Sequence, residues 1–238
     1  MRDFNQRTNV PSYHRTTLIS GLYAIADSGF VAIERLPAFV RCVLEGGCRV
    51  VQLRMKAGNA STASNASNEQ HFGNAGYDEM KRVAADIMRL KSEFDFTFII
   101  NDHADLALEL GADGVHVGEN DEPVKSIRAR AGDRLLIGYS SHSMEEAMRA
   151  EQEGADYVAF GAIFPTKTKG PGHPVQGLTR LSEVTGALRV PVVAIGGIGR
   201  KNLDDVIKAD AGAVAMISAL ALADDVTAEA RWFVEAIG

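Results

Sequence analysis

Residues 98–121 read FIINDHADLALELGADGVHVGEND, and the fold can be worked out from this stretch. Phe98, Ile99 and Ile100 form an aromatic and β-branched run that stops at Asn101 and Asp102, as a short buried strand does. Leu106, Leu108 and Leu110 continue into a helical segment closed by Gly111. A second strand covers 114–117 and ends before Asp121. If the two strands are parallel neighbours, their C-terminal loops leave at the same edge, which brings Asp102 and Asp121 to one site. Two carboxylates there suit Mg²⁺, which takes oxygen ligands: one or two carboxylates, substrate phosphates and water. The alternative is that each aspartate caps the helix that follows it. Both readings stay open at this point.

The same beat runs in both directions from this stretch. Upstream, strands are expected at 21–25 and 49–53, separated by a helix that starts near Pro37, buries Val40, Val43 and Leu44 on one face, and stops at Gly46 and Gly47. Downstream, Pro123 opens a helix ending at Gly132, and strands follow at 135–138, 157–161, 191–195 and 213–217. The remaining helices include one from Tyr77 to about Lys91, one at 143–154 opened by a Ser143 and Glu146 capping box, and others near 181–188, 201–209 and 227–237. Eight apolar strands alternating with eight helical segments argue for a single-domain α/β (β/α)8 TIM barrel over residues 20–238 rather than an open doubly wound sheet. The GGCR and GGIG stretches lack the spacing of a dinucleotide-binding turn.

Two segments depart from the beat. Residues 1–19 are polar and read as a loose arm. Residues 57–76, AGNASTASNASNEQHFGNAG, hold almost no large apolar side chains and read as a long loop after strand two, either a lid or a flexible insertion.

Composition bounds the chemistry. The 238 residues are 46% hydrophobic and 24% charged, enough for one sizeable core. A net charge of -6 provides no basic surface for nucleic acid or an anionic membrane, so any phosphate binding is local. Cys42 and Cys48 support neither a disulfide framework nor a zinc site, and no run of 18 apolar residues occurs. A cytoplasmic protein acting on small molecules is expected. A homo-oligomer stays open.

In a barrel of this kind function gathers where strands end, so the loops form one inventory. Strand two ends in Gln52, Arg54 and Lys56; strand three in Asn101 and Asp102; strand four in Asp121; strand five in Ser140. Strand six leads into Thr166, Lys167, Thr168 and Lys169, strand seven into Gly196 and Gly197, and strand eight into Ile217 and Ser218. Cations, carboxylates and hydroxyls converge with loops able to offer backbone N–H groups to a phosphate. The site is expected to take two anions.

These residues resemble the thiamine phosphate synthase family. The similar motifs are VQLRMK at 51–56, IINDHADLAL at 99–108, ADGVHVGENDEP at 112–123, IGYSSH at 137–142, GADYVAFGAIFPTKTKG at 154–170, PVVAIGGI at 191–198 and AMISAL at 215–220. The family joins a hydroxymethylpyrimidine diphosphate to a thiazole phosphate, forming thiamine phosphate and releasing pyrophosphate. By resemblance, Gln52, Arg54, Lys56, Asn101, Ser140 and Lys169 contact the pyrimidine diphosphate, with Arg54, Lys56 and Lys169 aiding its departure. Asp102 and Asp121 hold Mg²⁺, and Thr166, Lys167, Thr168, Gly197, Ile217 and Ser218 line the thiazole phosphate site. The resemblance implies a dissociative substitution that needs no general base, only positioning and electrostatic stabilisation of the leaving group.

The chain departs from the family pattern at His103, Glu119 and Ala162, and in the length of the loop after Lys56. A thiazole tautomerase-like enzyme, in which a histidine matching His142 does acid–base chemistry, is the runner-up. A catalytically silent barrel that binds a thiazole or thiamine phosphate is the third reading. His142 is expected to serve a structural or capping role, and His116 to be a satisfied core or rim residue.

Overall fold

The computed structural model describes residues 18–55, 74–166 and 174–238. The expected 1–19 arm and 57–76 loop fall almost entirely outside them, as do Lys56, Lys167, Thr168 and Lys169. Eight strands close into a parallel barrel in chain order: β1 (Gly21–Asp27), β2 (Val50–Arg54), β3 (Thr97–Asn101), β4 (Gly114–Val117), β5 (Leu136–Ser141), β6 (Tyr157–Gly161), β7 (Val192–Ile195) and β8 (Ala213–Met216). The helices between and after them are α1 (Leu36–Glu45), α2 (Asn74–Arg89), α3 (Ala104–Leu110), α4 (Val124–Ala131), α5 (Met144–Gln152), α6 (Gly177–Ala187), α7 (Leu203–Lys208), α8 (Ser218–Ala221) and α9 (Val226–Ile237). The single-turn α8 lies between β8 and the last helix. Among the described residues no helix is long and apolar enough to cross a membrane.

Strand alternation divides the apolar residues into two cores. Leu22, Ala24, Phe98, Ile100, Val158 and Phe160 face the helical shell, while Tyr23, Ile25, Ile99, Tyr157, Val193 and Ala215 fill the barrel itself. Phe98, Ile99 and Ile100 are fully buried, so the opening stretch contributes to both cores. Each such side chain stabilises the fold by at most about 1.5–3 kcal/mol.

At the N-terminal face, acidic side chains tie strands to helices. Asp113 Oδ2 accepts from the amide of Phe98 at 2.7 Å and pairs with Lys91. Asp156 Oδ2 accepts from the amide of Ile137 at 2.8 Å and pairs with Arg128, which also donates to the carbonyl of Gly154. Cys48 is buried, and burial pushes its thiol up to about 11.

The capping box on α5 forms with one change. Ser143 Oγ accepts from the amide of Glu146 at 3.2 Å, but the Glu146 carboxylate reaches back to the amide of His142, at 2.7 Å, instead of that of Ser143. Neither aspartate occupies a capping position: the N-cap of α3 is His103 and that of α4 is Pro123. The capping alternative is therefore corrected. Asp102 sits one residue too early, at a left-handed φ of 64° with its amide bonded to the carbonyl of His116, and Asp121 closes its own loop.

Candidate active site

The C-terminal end of the barrel holds a cavity of about 870 Å³, part of it open solvent at the mouth. From β2, β3 and β5 it is lined by Gln52, Arg54, Asn101 and Ser140; from the loops after β6, β7 and β8, by Thr166, Gly197, Ile217 and Ser218. Eight of the residues expected from sequence thus meet in one space. Its floor is apolar, built from Ile25, Ala159, Val193 and Ala215.

Arg54 is held by a residue that no motif in the sequence marks. Asp27, at the end of β1, is 2% exposed; its Oδ2 pairs with Arg54 Nη1 and its Oδ1 accepts from the amide of Gly29 at 2.7 Å. The register brings them together, since Asp27 lies opposite Arg54 in the β1–β2 pairing. No spacing in the sequence signals a pair 27 residues apart.

Asp102 and Asp121 leave from the ends of β3 and β4, neighbours paired through Asn101 and His116. They belong to the rim and do not line the cavity. Asp121 Oδ2 accepts from the amide of Gly118 at 2.7 Å, and its Oδ1 makes no hydrogen bond among the described residues. A Cβ placed on Gly118 would sit 3.4 Å from Asp121 Oδ2 and 3.9 Å from Ser140 Cβ, which locates this carboxylate over the mouth beside β5. Among the described residues no group of three or more His, Cys, Asp or Glu side chains could hold a metal ion alone. Two carboxylates without a third protein ligand suit Mg²⁺ that keeps water and substrate phosphate oxygens in its shell, not a structural metal.

The opposite rim is backbone. Gly196 and Gly197 turn away from β7 at φ 101° and 68°, and Asn202 fastens the turn by accepting from the amide of Gly199 at 2.9 Å and donating to the carbonyl of Gly197 at 3.0 Å. A Cβ on Gly197 would lie 2.7 Å from the carbonyl oxygen of Pro165 and 2.8 Å from Phe164 Cβ. A side chain there would collide with the 162–166 loop. The glycine is required for loop packing. Asn202 carried no sequence signal, because its role depends on how the loop folds back.

His142 stands at the start of α5 with Nδ1 3.6 Å from Glu146 Oε2 and does not line the cavity. His116 is 6% exposed in the barrel interior, with Nδ1 3.1 Å from the Tyr157 hydroxyl and Nε2 2.8 Å from Ser140 Oγ. It is a satisfied core residue, as expected, and it also reaches the cavity lining.

Residues 22–220 match the family model described as thiamine monophosphate synthase. The chain belongs to the thiamine monophosphate synthase family. It is 39% identical over 210 residues to the thiamine-phosphate synthase of Methanocella arvoryzae, covering 88% of this chain and 91% of that one. It is also 39% identical over 207 residues to the thiamine-phosphate synthase of Listeria monocytogenes, covering 86% and 90%. The solved thiamine phosphate pyrophosphorylase from Pyrococcus furiosus superimposes with a TM-score of 0.74 at 35% identity, over 94% of this chain and 98% of that one. The family match spans every strand, so the cavity described above lies wholly inside the matched region.

Proposed function

We propose that this family member is a thiamine-phosphate synthase, a transferase that joins 4-amino-2-methyl-5-hydroxymethylpyrimidine diphosphate to 4-methyl-5-(2-phosphooxyethyl)thiazole, or to its carboxylated form with loss of CO2, and releases pyrophosphate. The observation that carries the reading is the two-sided mouth: the side-chain donors Gln52, Arg54, Asn101 and Ser140 on β2, β3 and β5 face backbone-rich loops after β6 to β8 across one cavity. One side suits a diphosphate and the other a monophosphate.

In this reading Gln52 and Ser140 orient the pyrimidine, while Arg54, held by Asp27, and Asn101 face its diphosphate. Lys56 and Lys169 add positive charge by family resemblance. Thr166, Lys167 and Thr168 together with Gly197, Ile217 and Ser218 receive the thiazole phosphate. The bond between the pyrimidine methylene carbon and the diphosphate oxygen breaks with its electron pair leaving on the diphosphate, and the thiazole nitrogen lone pair forms the new C–N bond. The electron-rich aminopyrimidine shares the positive charge of the methylene. The apolar floor formed by Ile25, Ala159 and Val193 keeps water from competing for it. Arg54 acts electrostatically, so no proton transfer is asked of it. Asp102 and Asp121 would hold Mg²⁺, which when bound would offset charge on the departing diphosphate. The setting is cytoplasmic, which suits the free thiols of Cys42 and Cys48.

The test is an assay with both substrates. Thiamine phosphate and pyrophosphate formed in equal amounts, and abolished by a chelator, are the expected result. Thiazole isomerisation without condensation would replace this reading with the tautomerase, and binding of either phosphate without turnover with the silent barrel.

A further inference from the structure

Below the cavity five side chains from five strands form one continuous hydrogen-bond chain. Gln52 Nε2 on β2 donates to the Tyr23 hydroxyl on β1 at 3.1 Å, and that hydroxyl lies 2.8 Å from the Tyr157 hydroxyl on β6. Tyr157 is 3.1 Å from His116 Nδ1 on β4, and His116 Nε2 is 2.8 Å from Ser140 Oγ on β5. The Tyr157 ring stacks on the His116 ring at 5.5 Å. Gly138 lies between His116 and Tyr157 in the register, and a Cβ there would overlap the Tyr157 ring and hydroxyl. Tyr23 and Tyr157 are 2% and 0% exposed, and burial holds both phenols well above their ordinary range, so both keep their hydrogen.

The two ends of the chain, Gln52 and Ser140, line the cavity, while its middle member Tyr157 does not. Each buried hydroxyl has one hydrogen to donate, and a neutral imidazole has one N–H and one bare nitrogen. With Gln52 donating to Tyr23, the Tyr23 hydrogen goes to Tyr157, the Tyr157 hydrogen to His116 Nδ1, and the His116 hydrogen, on Nε2, to Ser140 Oγ. With Gln52 Nε2 donating, reversing the middle bond would leave the Tyr23 hydrogen with no acceptor among the described residues; the reversed chain needs the Gln52 amide turned over and the His116 hydrogen on Nδ1. Gln52 then presents Oε1 as an acceptor to the cavity, and Ser140 presents its O–H as a donor.

We infer that Tyr23, Tyr157 and His116 form a one-way hydrogen-bond relay that fixes Gln52 as an acceptor and Ser140 as a donor, and so selects an aminopyrimidine ring over its oxo counterpart. The inference rests on the substrate reading above. An aminopyrimidine offers an exocyclic N–H to Gln52 Oε1 and a ring nitrogen to Ser140. A 4-oxopyrimidine turns a carbonyl toward the same Oε1, two acceptors facing each other. Because a site that leaves a buried polar group unpaired rejects the wrong ligand strongly, the discrimination expected is large. Tyr157 is a positioning residue: it acts on the ligand only through its neighbours.

Two measurements test the relay. The ¹⁵N spectrum of the wild-type protein reads the His116 tautomer directly. A proton on Nε2 is expected, and a proton on Nδ1 overturns the relay whatever the substrate proves to be. Equilibrium binding is then compared for 4-amino-5-hydroxymethyl-2-methylpyrimidine and its 4-oxo counterpart in wild type and in Tyr157→Phe, with Tyr23→Phe as the second variant. Wild type should prefer the amino ring, and each variant should lower that preference at least tenfold, because the Gln52 amide becomes free to turn. A purely structural role for the tyrosines would weaken both rings alike. A preference unchanged in folded Tyr157→Phe and Tyr23→Phe overturns the relay, whereas wild type binding both rings equally, or neither, overturns the substrate reading on which it rests.

Discussion

The two ends of the barrel use aspartate in opposite ways. At the N-terminal face Asp113 and Asp156 each bind a strand amide and pair with a cation, Lys91 or Arg128, and serve the fold. At the C-terminal face Asp102 follows β3 at a left-handed φ, and Asp121 uses one oxygen on its own loop and leaves the other without a hydrogen bond among the described residues. Residue type does not separate the two pairs. What separates them is the end of the strand each one sits on, and the partners that end supplies.

The sharpest way to break this comparison is to neutralise both pairs. Asp102→Asn and Asp121→Asn should each lower turnover by about 100-fold or more, roughly 2.7 kcal/mol of transition-state stabilisation, with the melting temperature almost unchanged. Raising Mg²⁺ should recover part of the loss by mass action. Near-normal turnover of both variants at limiting Mg²⁺ would show that these carboxylates serve no metal.

The mirror experiment concerns the other end. Asp113→Asn and Asp156→Asn should each cost about 1–3 kcal/mol of unfolding free energy, since a half-buried cation loses its partner, while turnover per folded molecule stays within about twofold of wild type. Denaturant titration and a steady-state assay at a temperature where both variants are folded read the two effects separately. A large loss of turnover with unchanged stability would erase the distinction between the ends.

A smaller effect lies between the ends, in the relay. Burial raises the Tyr23 and Tyr157 phenols, so the folded state keeps protons that the unfolded chain releases above about pH 10. Their stability contribution is therefore complete below that pH and is lost as pH rises beyond it, by up to about 1.4 kcal/mol per pH unit for each phenol. The Tyr157→Phe variant should show a shallower decline than wild type between pH 10 and 11, measured by urea unfolding. Parallel curves would mean that the phenol ionises as easily folded as unfolded.

The smallest expected effect belongs to the backbone-built rim. Ser218→Ala should change the apparent affinity for the thiazole phosphate by less than about threefold, because the peptide N–H that this position offers is unaltered by the substitution. A tenfold loss would assign the contact to the hydroxyl.

The residues that sequence reading located are those for which topology alone suffices. Gln52, Arg54, Asn101 and Ser140 end or adjoin parallel strands, and closing the barrel in chain order necessarily brings them to one cavity. Thr166, Gly197, Ile217 and Ser218 follow from the same rule applied to loops. Asp27 lies outside every motif of the sequence, because its importance comes from lying opposite Arg54 across the β1–β2 register. Nothing local marks Tyr157, because its partner Tyr23 is 134 residues away.

The sequence by itself therefore determined the barrel, the order of its strands and the end at which its chemistry gathers, because apolar periodicity and strand–helix alternation are local properties of the chain. Only the tertiary structure decided which aspartates tie strands to the fold and which stand at the C-terminal rim, that Gly197 packs against Pro165 and Phe164, and that Gln52 and Ser140 are joined through the barrel interior. Those outcomes depend on register, side-chain direction and the pairing of every buried donor with an acceptor. All three become fixed only when distant strands are brought within hydrogen-bonding distance.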